Sequence, residues 1–329
     1  MTAPLKVVVW STGTVGRHAI AGIERHPSLE LVGVWVSNPD KDGQDAGRLA
    51  GLERDLGVLA TTDAEALLAL RPDCILHAAM TDDRVFASIK DLTGFLEAGV
   101  NVVSSGPVVM QFPHGILDDR VLGPIAAAGE RTGASLHVNG IDPGWANDVL
   151  PLQLTSLSQR IDEVRVMEIA DYATYVQPVV MKDLFGFGQP VDAEVLMWSP
   201  GVLSMAWGSV VRQIAAGLDL TLDEPLVEKV ERRATDVDIS TLSLDIPAGT
   251  QAAVRFELIG TVDGVPRVVV EHVTRTAPDQ APDWPRPAKG EGSYRIIVTG
   301  EPMMEVEMTH HGEHGDHNIS GMIVTAQRL

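Results

Sequence analysis

The sequence is short of several things, and each scarcity closes off a class of function. Among 329 residues there is one cysteine, Cys74, so disulfide scaffolds and cysteine-rich metal centres are excluded. Basic residues are outnumbered, 25 Lys and Arg against 45 Asp and Glu, a formal charge of −20. Nucleic acid and anionic membrane surfaces both bind through basic stripes, so neither is an expected partner. Long apolar runs are missing too: none approaches the ~20 residues that a spanning helix needs. Residues 1–6 lead straight into a short apolar run, without the basic region and cleavage site of a secretory leader. What is present is ordinary globular composition, 45% hydrophobic and 21% charged. These features predict an acidic, cytoplasmic protein of two domains.

Between residues 5 and 140, short apolar runs alternate with helical patterns. The runs are Lys6–Trp10, Leu31–Val36, Gly57–Ala60, Cys74–Ala78, Val100–Ser104 and Ser135–Val138, and Ala64–Leu70 and Val85–Ala98 show helical spacing. Such alternation predicts an α/β domain with a doubly wound parallel sheet of the Rossmann type. After Pro143 the pattern changes to a strand at Val164–Ala170, a largely helical Ala193–Leu218, and long runs at Gln251–Thr261, Val265–Thr274, Ser293–Thr299 and Met304–Met308. Asp263-Gly264 marks a hairpin between two of them. The second domain is therefore expected to be α+β, an open mixed or antiparallel sheet with helices on one face. Thr276–Lys289 is a proline-rich insertion, and a return helix starts near Asp316. The expected division is 1–145 plus 315–329 for the first domain and 146–314 for the second.

The sharpest local signal is Val9-Trp10-Ser11-Thr12-Gly13-Thr14-Val15-Gly16-Arg17, a buried strand followed by a glycine turn that opens a helix. Gly13 lets a backbone approach a pyrophosphate, Gly16 allows close helix–strand packing, and the helix N-terminus supplies N–H groups and positive dipole. Ser11 stands where the first glycine of the dinucleotide pattern is expected. The second strand ends in Ser37-Asn38-Pro39-Asp40-Lys41, where an NAD site usually offers a carboxylate to the ribose. Ser37, Asn38, Lys41 and Arg17 suit a 2′-phosphate, so NADP(H) is the preferred cofactor and NAD(H) the alternative. In the other reading Lys41 is a solvated loop lysine and Asp40 serves the ribose as the carboxylate of an NAD site.

Ligands of such sheets lie beyond the carboxyl ends of the strands. That places Ala78, Ala79 and Met80, then Ser104, Ser105 and Gly106, and then Asn139 among the candidate cofactor contacts. Asp142-Pro143 reads as an N-cap followed by a first helical position.

Several of these segments resemble, in order, the dihydrodipicolinate-reductase-like oxidoreductases, and within them the branch of 2,4-diaminopentanoate dehydrogenase and the native amine dehydrogenases. The carriers are the Ser-Thr-Gly-x-x-Gly turn, Gly140-Ile141-Asp142-Pro143-Gly144-Trp145, Glu168-x-x-Asp171-x-x-x-Tyr175, Gly186-Phe187-Gly188-x-Pro190, Glu271-His272-Val273 and Asp283-Trp284-Pro285. The resemblance spans the whole chain. It implies a homodimeric, NAD(P)-dependent enzyme that reductively aminates a small carbonyl compound, or deaminates the amine, by hydride transfer. Two alternatives stay open: a carbonyl or imine reductase that uses no ammonia, and a non-catalytic NADP-binding sensor.

The chain also departs from that family. In the amine dehydrogenases the acid–base group is a glutamate just past the fifth strand, whereas Val102–Met110 contain no carboxylate. Relatives also continue past the last helix with an Asn-Ala-Ile-Pro segment, so part of the pocket cover is expected to be missing here. The candidates for the vacant role are Asp142, which capping explains equally well, and Glu168 with Tyr172, four apart on a strand and so on one face. Burial would raise Glu168 toward a useful pKa; the other reading is a surface or dimer-interface carboxylate. His137 is expected to be a hydrogen-bonded core histidine and His114 an entrance-loop residue. Val108, Phe112, Trp145, Tyr172, Tyr175 and Phe185 are the expected pocket walls, with core packing as the other reading of the aromatics. No arginine falls in these segments, which disfavours carboxylate-bearing substrates. No metal is expected at the histidine-rich stretch His310–His317, since hydride transfer needs none.

Overall fold

Elementary strand and helix physics accounts for most of the architecture. The computed structural model describes residues 3–329 apart from Asp82 and His314; the start of the chain and one imidazole of the histidine-rich stretch lie outside the described residues. Two compact units result, the first running to Ile141 and including Met322–Leu329, the second Asp142–Gly321. The junctions thus fall at 141/142 and 321/322, against 145/146 and 314/315 read from the sequence. Asp142 goes with the second unit, where its side chain meets Asn147 and His272.

The first unit holds β1 (Leu5–Trp10), β2 (Leu29–Trp35), β3 (Ala60–Thr61), β4 (Cys74–His77), β5 (Asn101–Ser104) and β6 (Leu136–Val138). All pair in parallel in the order β3-β2-β1-β4-β5-β6, so the winding reverses beside β1. Val7, Val8 and Val9 are buried, as near-continuous apolar strands covered on both faces require. Trp10 stacks on Trp35 at 4.6 Å and meets the edge of Phe95. Helix starts are capped by aspartates, Asp63 accepting from Ala66 N at 3.0 Å and Asp118 from Arg120 N at 2.9 Å.

The second unit is built on β7 (Arg160–Asp171), β8 (Val227–Ala234), β11 (Gln251–Val262), β12 (Val265–Arg275), β13 (Gly292–Glu301) and β14 (Met304–Met308), with a small ribbon of β9 (Ile239–Ser240) and β10 (Asp245–Ile246). The sheet order is β14-β13-β7-β12-β11-β8, antiparallel except for the β7–β12 pair. At the β11–β12 turn Asp263 and Gly264 both have positive φ, 52° and 75°, the conformation that the Asp-Gly pair predicts.

One sheet face carries Val164, Val166, Val268, Val270, Ile296 and Val298 against the helix Gly208–Gly217. On the other face Glu271, 1% exposed, accepts from Arg165 and from Arg255 Nε at 2.8 Å. The proline-rich loop lies on this second face, with Ala281 and Trp284 packed on Met167, Ile169 and Val273.

Four local expectations are corrected. Ala193–Leu218 is broken by Pro200-Gly201, Gly201 sitting at φ 83°, so its helical parts are a 3-10 turn Leu196–Trp198 and helices Val202–Ala206 and Gly208–Gly217. His137 is exposed on the edge strand β6 and is no core residue. Cys74, which opens the apolar run read as a buried fourth strand and was expected to act there as a small hydrophobe, is only half-buried. Asp142 caps no helix: the next one begins at Val149, where Asp148 accepts from the Val149 N–H. Among the described residues no helix is long and apolar enough to cross a membrane.

Arg275 fastens the proline-rich loop. Buried itself, it donates from Nε to Gln280 O at 2.8 Å and from Nη2 to Ala281 O and Trp284 O, each at 3.1 Å. Lysine lacks that fork, so Arg275→Lys is expected to lower the unfolding free energy by about 1.5–3 kcal/mol, the range for hydrogen bonds to a charged group. It should also speed proteolytic cleavage within 276–289. An unchanged urea midpoint together with an unchanged cleavage rate would refute the role.

Candidate active site

Two sites emerge, one in each unit. In the first, Ser11 follows β1 at φ 91°, so a serine adopts the left-handed backbone usually left to glycine. Gly16 is required by contact: a Cβ there would meet Ser11 O at 1.9 Å. The helix Thr14–Ile23 starts from Gly13 with no side-chain cap, so its first-turn N–H groups are not claimed by a capping oxygen. Thr12 is buried, Val15 packs on the core, and Gly13 and Arg17 are exposed. Lys41 Nζ donates to Thr12 Oγ1 at 3.1 Å, which holds an ammonium beside the glycine turn. Ser37 is exposed, and Asn38 Oδ1 accepts from Asp40 N at 2.9 Å, capping a short 3-10 turn.

Past β4, Ala78 N donates to Trp10 O at 3.0 Å, Ala79 is half-buried and Met80 is exposed. Ser104 is turned inward: its hydroxyl lies 3.0 Å from His77 Nδ1 and donates to Gly106 O. Burial pulls the His77 imidazole down to about 4, so it is neutral. Gly106 lies against Thr81, Ser105 N donates to His77 O at 3.1 Å, and Asn139 is buried with Oδ1 accepting from Arg328 Nε at 3.0 Å. Ser104 and Asn139 therefore shape the strand ends, and their side chains are engaged inside the protein.

The second site follows from strand register. Consecutive side chains of a strand point to opposite faces. In β12, Glu271 joins the ionic ladder on one face and His272 enters the apolar face. Register places Glu168 of β7 opposite His272, Tyr294 of β13 opposite Glu168, and Phe256 of β11 opposite His272. Four residues from four strands thus form one row across the sheet.

His272 Nδ1 lies 3.0 Å from Glu168 Oε2, and its Nε2 lies 3.4 Å from Asp142 Oδ1. Asn147 Nδ2 donates to that same Asp142 oxygen at 2.9 Å. The side chains of Asp142, His272 and Glu168 are 1%, 3% and 17% exposed. The imidazole stacks on Phe256 at 4.7 Å and meets Trp207 edge-on at 4.9 Å. Asp142 Oδ2 and His272 Nε2 are buried without a hydrogen-bond partner. Burial alone would lower the imidazole, but the two carboxylates outweigh it and push it up to about 10. Burial, reinforced by Asp142, pushes Glu168 above its ordinary range, and the bond from His272 opposes this. Perturbed groups packed together in this way make the cluster a candidate reactive site.

Beside the cluster lie all three tyrosines of the chain. Tyr172 stacks on Tyr175 at 4.4 Å, Phe185 meets Tyr172 at 6.3 Å, and Phe185 and Phe187 stack at 6.1 Å. Gly186 and Gly188, both at positive φ, let this segment fold under the rings. Tyr172 lies one residue past β7 rather than on it, yet near Glu168, which with burial holds its phenol well above the ordinary value. At ordinary pH the Tyr172 phenol therefore keeps its proton. Trp145 is half-buried in the same unit, while Val108 and Phe112 belong to the first unit, Phe112 meeting His114 edge-on at 5.2 Å.

Sequence reasoning named Asp142, Glu168 and Tyr172 and missed His272, Tyr294 and Asn147. The signal for His272 was present: an imidazole on the strand face that also carries Val268 and Val270.

No protein-family model matches the chain. It is 45% identical over 313 residues to the amine dehydrogenase of Streptomyces virginiae, covering 94% of this chain and 86% of that protein. Among solved structures, the amine dehydrogenase from Mycobacterium smegmatis is similar with a TM-score of 0.76 at 21% identity, over 98% of this chain and 89% of that one. GenD2 from gentamicin A biosynthesis, solved in complex with NAD, gives 0.52 at 14% identity, over 100% and 86%.

The His272 shift fixes a pH dependence. Its folded value lies above the ordinary 6.5, so the stability it contributes is complete below pH 6.5 and is lost as pH climbs to about 10. The raised Glu168 acts in the same sense. Wild type should therefore exceed His272→Gln in Tm by more at pH 6 than at pH 10. A pH-independent gap would refute the doubly paired imidazole.

Proposed function

Because the chain belongs to the amine dehydrogenase family, and is accordingly a nicotinamide-dependent oxidoreductase, we propose that it interconverts a small, largely apolar ketone or aldehyde with its primary amine. NADP(H) is the preferred coenzyme and NAD(H) is tolerated. The glycine turn fits a dinucleotide on two counts: uncapped N–H groups, and a contact at Gly16 that no side chain could share. Thr12–Arg17 would hold the diphosphate, and Lys41 with Ser37 and Asn38 the adenosine corner. When bound, the nicotinamide supplies or accepts the hydride.

The observation that carries the reading is the Asp142–His272–Glu168 cluster, in a chain whose fifth strand is followed by no carboxylate. Amination needs a base that takes a proton from ammonium and an acid that returns it to the departing hydroxyl. Glu168 is the most exposed of the three and has a raised pKa, so it fits both roles. In the reductive direction its carboxylate accepts the ammonium proton, and ammonia adds to the carbonyl carbon. Glu168 then gives the proton back as the carbinolamine loses water. His272 stays bonded to Glu168 throughout, Asp142 balances the imidazolium, and Asn147 orients Asp142. Tyr172, Tyr175 and Phe185 supply an apolar wall without a cation, which suits uncharged carbonyl compounds.

The absence of a carboxylate after β5 also favours a second reading, reduction of a carbonyl or preformed imine without ammonia. Oxidation of NADPH with cyclohexanone or pentanal, run with and without ammonium, separates the two. Turnover is expected to require ammonium, and ammonium-independent turnover would refute amination. Glu168→Gln should cut kcat by about 100-fold or more while coenzyme affinity holds, the scale of a lost acid–base group. For the coenzyme, Lys41→Ala should weaken NADPH about tenfold, equivalent to one charged contact, and leave NADH unchanged. An unaltered NADPH/NADH ratio would remove Lys41 from the site.

A further inference from the structure

The contact between His272 and Asp142 has dimensions that a hydrogen bond does not explain. An imidazolium N–H bonded to a carboxylate spans about 2.7–2.9 Å, whereas Nε2 and Oδ1 stand 3.4 Å apart. Both side chains are buried, and Nε2 and Asp142 Oδ2 have no hydrogen-bond partner. Two buried polar atoms left without partners, on side chains already in contact, are costly unless something polar reaches them.

Zinc bonds nitrogen and carboxylate oxygen at about 2.0–2.2 Å, and two ligands of a tetrahedral ion then lie about 3.3–3.5 Å apart. The observed separation falls within that tetrahedral edge. Around it stands the usual support of a metal-bound histidine: Glu168 accepts from Nδ1 at 3.0 Å, which would fix the tautomer that presents Nε2 to an ion. Asn147 likewise fixes the Asp142 carboxylate. Ligand atoms of Asp142, Glu168 and His272 all lie within 4.8 Å of one another, the only such group of three among the described residues. Two carboxylates and a neutral imidazole carry −2, the complement of a divalent cation. A nitrogen donor favours zinc, cobalt or nickel over magnesium and calcium, which prefer oxygen shells.

We propose that Asp142 and His272 bind a divalent transition metal of the zinc class, with Glu168 as the orienting carboxylate, and that an ion seated there switches the enzyme off. The ion takes Nε2 as the proton on that nitrogen leaves to solvent, and the imidazole is then no longer part of a proton-carrying pair. The inhibitory half rests on the proton-transfer role given above; the binding half does not.

The test uses full-length protein without a polyhistidine tag, stripped with chelator. It is titrated with cobalt(II), followed by visible absorption, and with zinc, followed by calorimetry. One equivalent is expected to bind. Affinity should fall at least tenfold in Asp142→Asn and in His272→Gln, fall by about 10–100-fold in Glu168→Gln, as for a lost orienting carboxylate, and hold in His311→Ala. Circular dichroism in chelator shows that each variant is folded, and Glu168→Gln, which keeps both donors, serves if either of the first two is not. No binding, or binding indifferent to all three substitutions, overturns the site. Zinc should then abolish amination at the concentration that fills the site. Saturation with turnover untouched would overturn the inhibition and also count against the cluster as the proton carrier, while leaving the metal site in place.

Discussion

A charged imidazole clamped between two carboxylates, inside an otherwise apolar sheet face, is the constraint around which the second unit is arranged. Buried charges survive only when each has its partner, and removing one leaves the others exposed to a low-dielectric interior. Asp142 comes from the turn that opens the unit, Glu168 from β7 and His272 from β12, so the three-way contact ties the entry of the chain to the two parallel strands at the centre of the sheet. Phe256 and Trp207 close over the ring and keep water from weakening the pairing. The same arrangement that holds these strands in register also places raised-pKa groups beside an aromatic wall.

In the proposed reading, the role that the resemblance implies for a glutamate after the fifth strand falls instead to a carboxylate on a central strand, backed by a histidine on the neighbouring one. Groups carried on paired strands are held more rigidly than groups on loops, and their hydrogen-bonding neighbours are fixed by register. In that reading proton handling would depend on the packing of the sheet, while at the turn after β5 Ser104 folds onto His77 and Gly106.

The sequence exposed those parts of the fold that obey simple periods. Parallel strands such as Val7–Val9 read as continuous apolar runs, and the Asp263-Gly264 hairpin announced itself through residues that tolerate positive φ. β8 escaped because an edge strand rich in Glu, Lys and Arg carries no hydrophobic alternation. The helix expected over Ala193–Leu218 ignored the break at Pro200-Gly201. Of the candidate site, Asp142 and Glu168 were legible through position and spacing. His272 was not assigned a role, because its partners lie 130 and 104 positions earlier in the chain and only strand register brings them together. That Ser104 turns to His77 and Gly106, and that Asn139 accepts from Arg328, is decided by rotamers that the sequence does not display.

The grouping of Tyr172, Tyr175 and Tyr294 has a spectroscopic consequence. With no other tyrosine in the chain, any change in phenol absorbance originates within a few residues of Glu168. Because Tyr172 and Tyr294 are held well above their ordinary values by burial and by that carboxylate, those two phenols resist ionisation in the native protein. Their ionisation in alkali therefore reports the opening of this one region, an optical probe built into the sheet that carries the cluster.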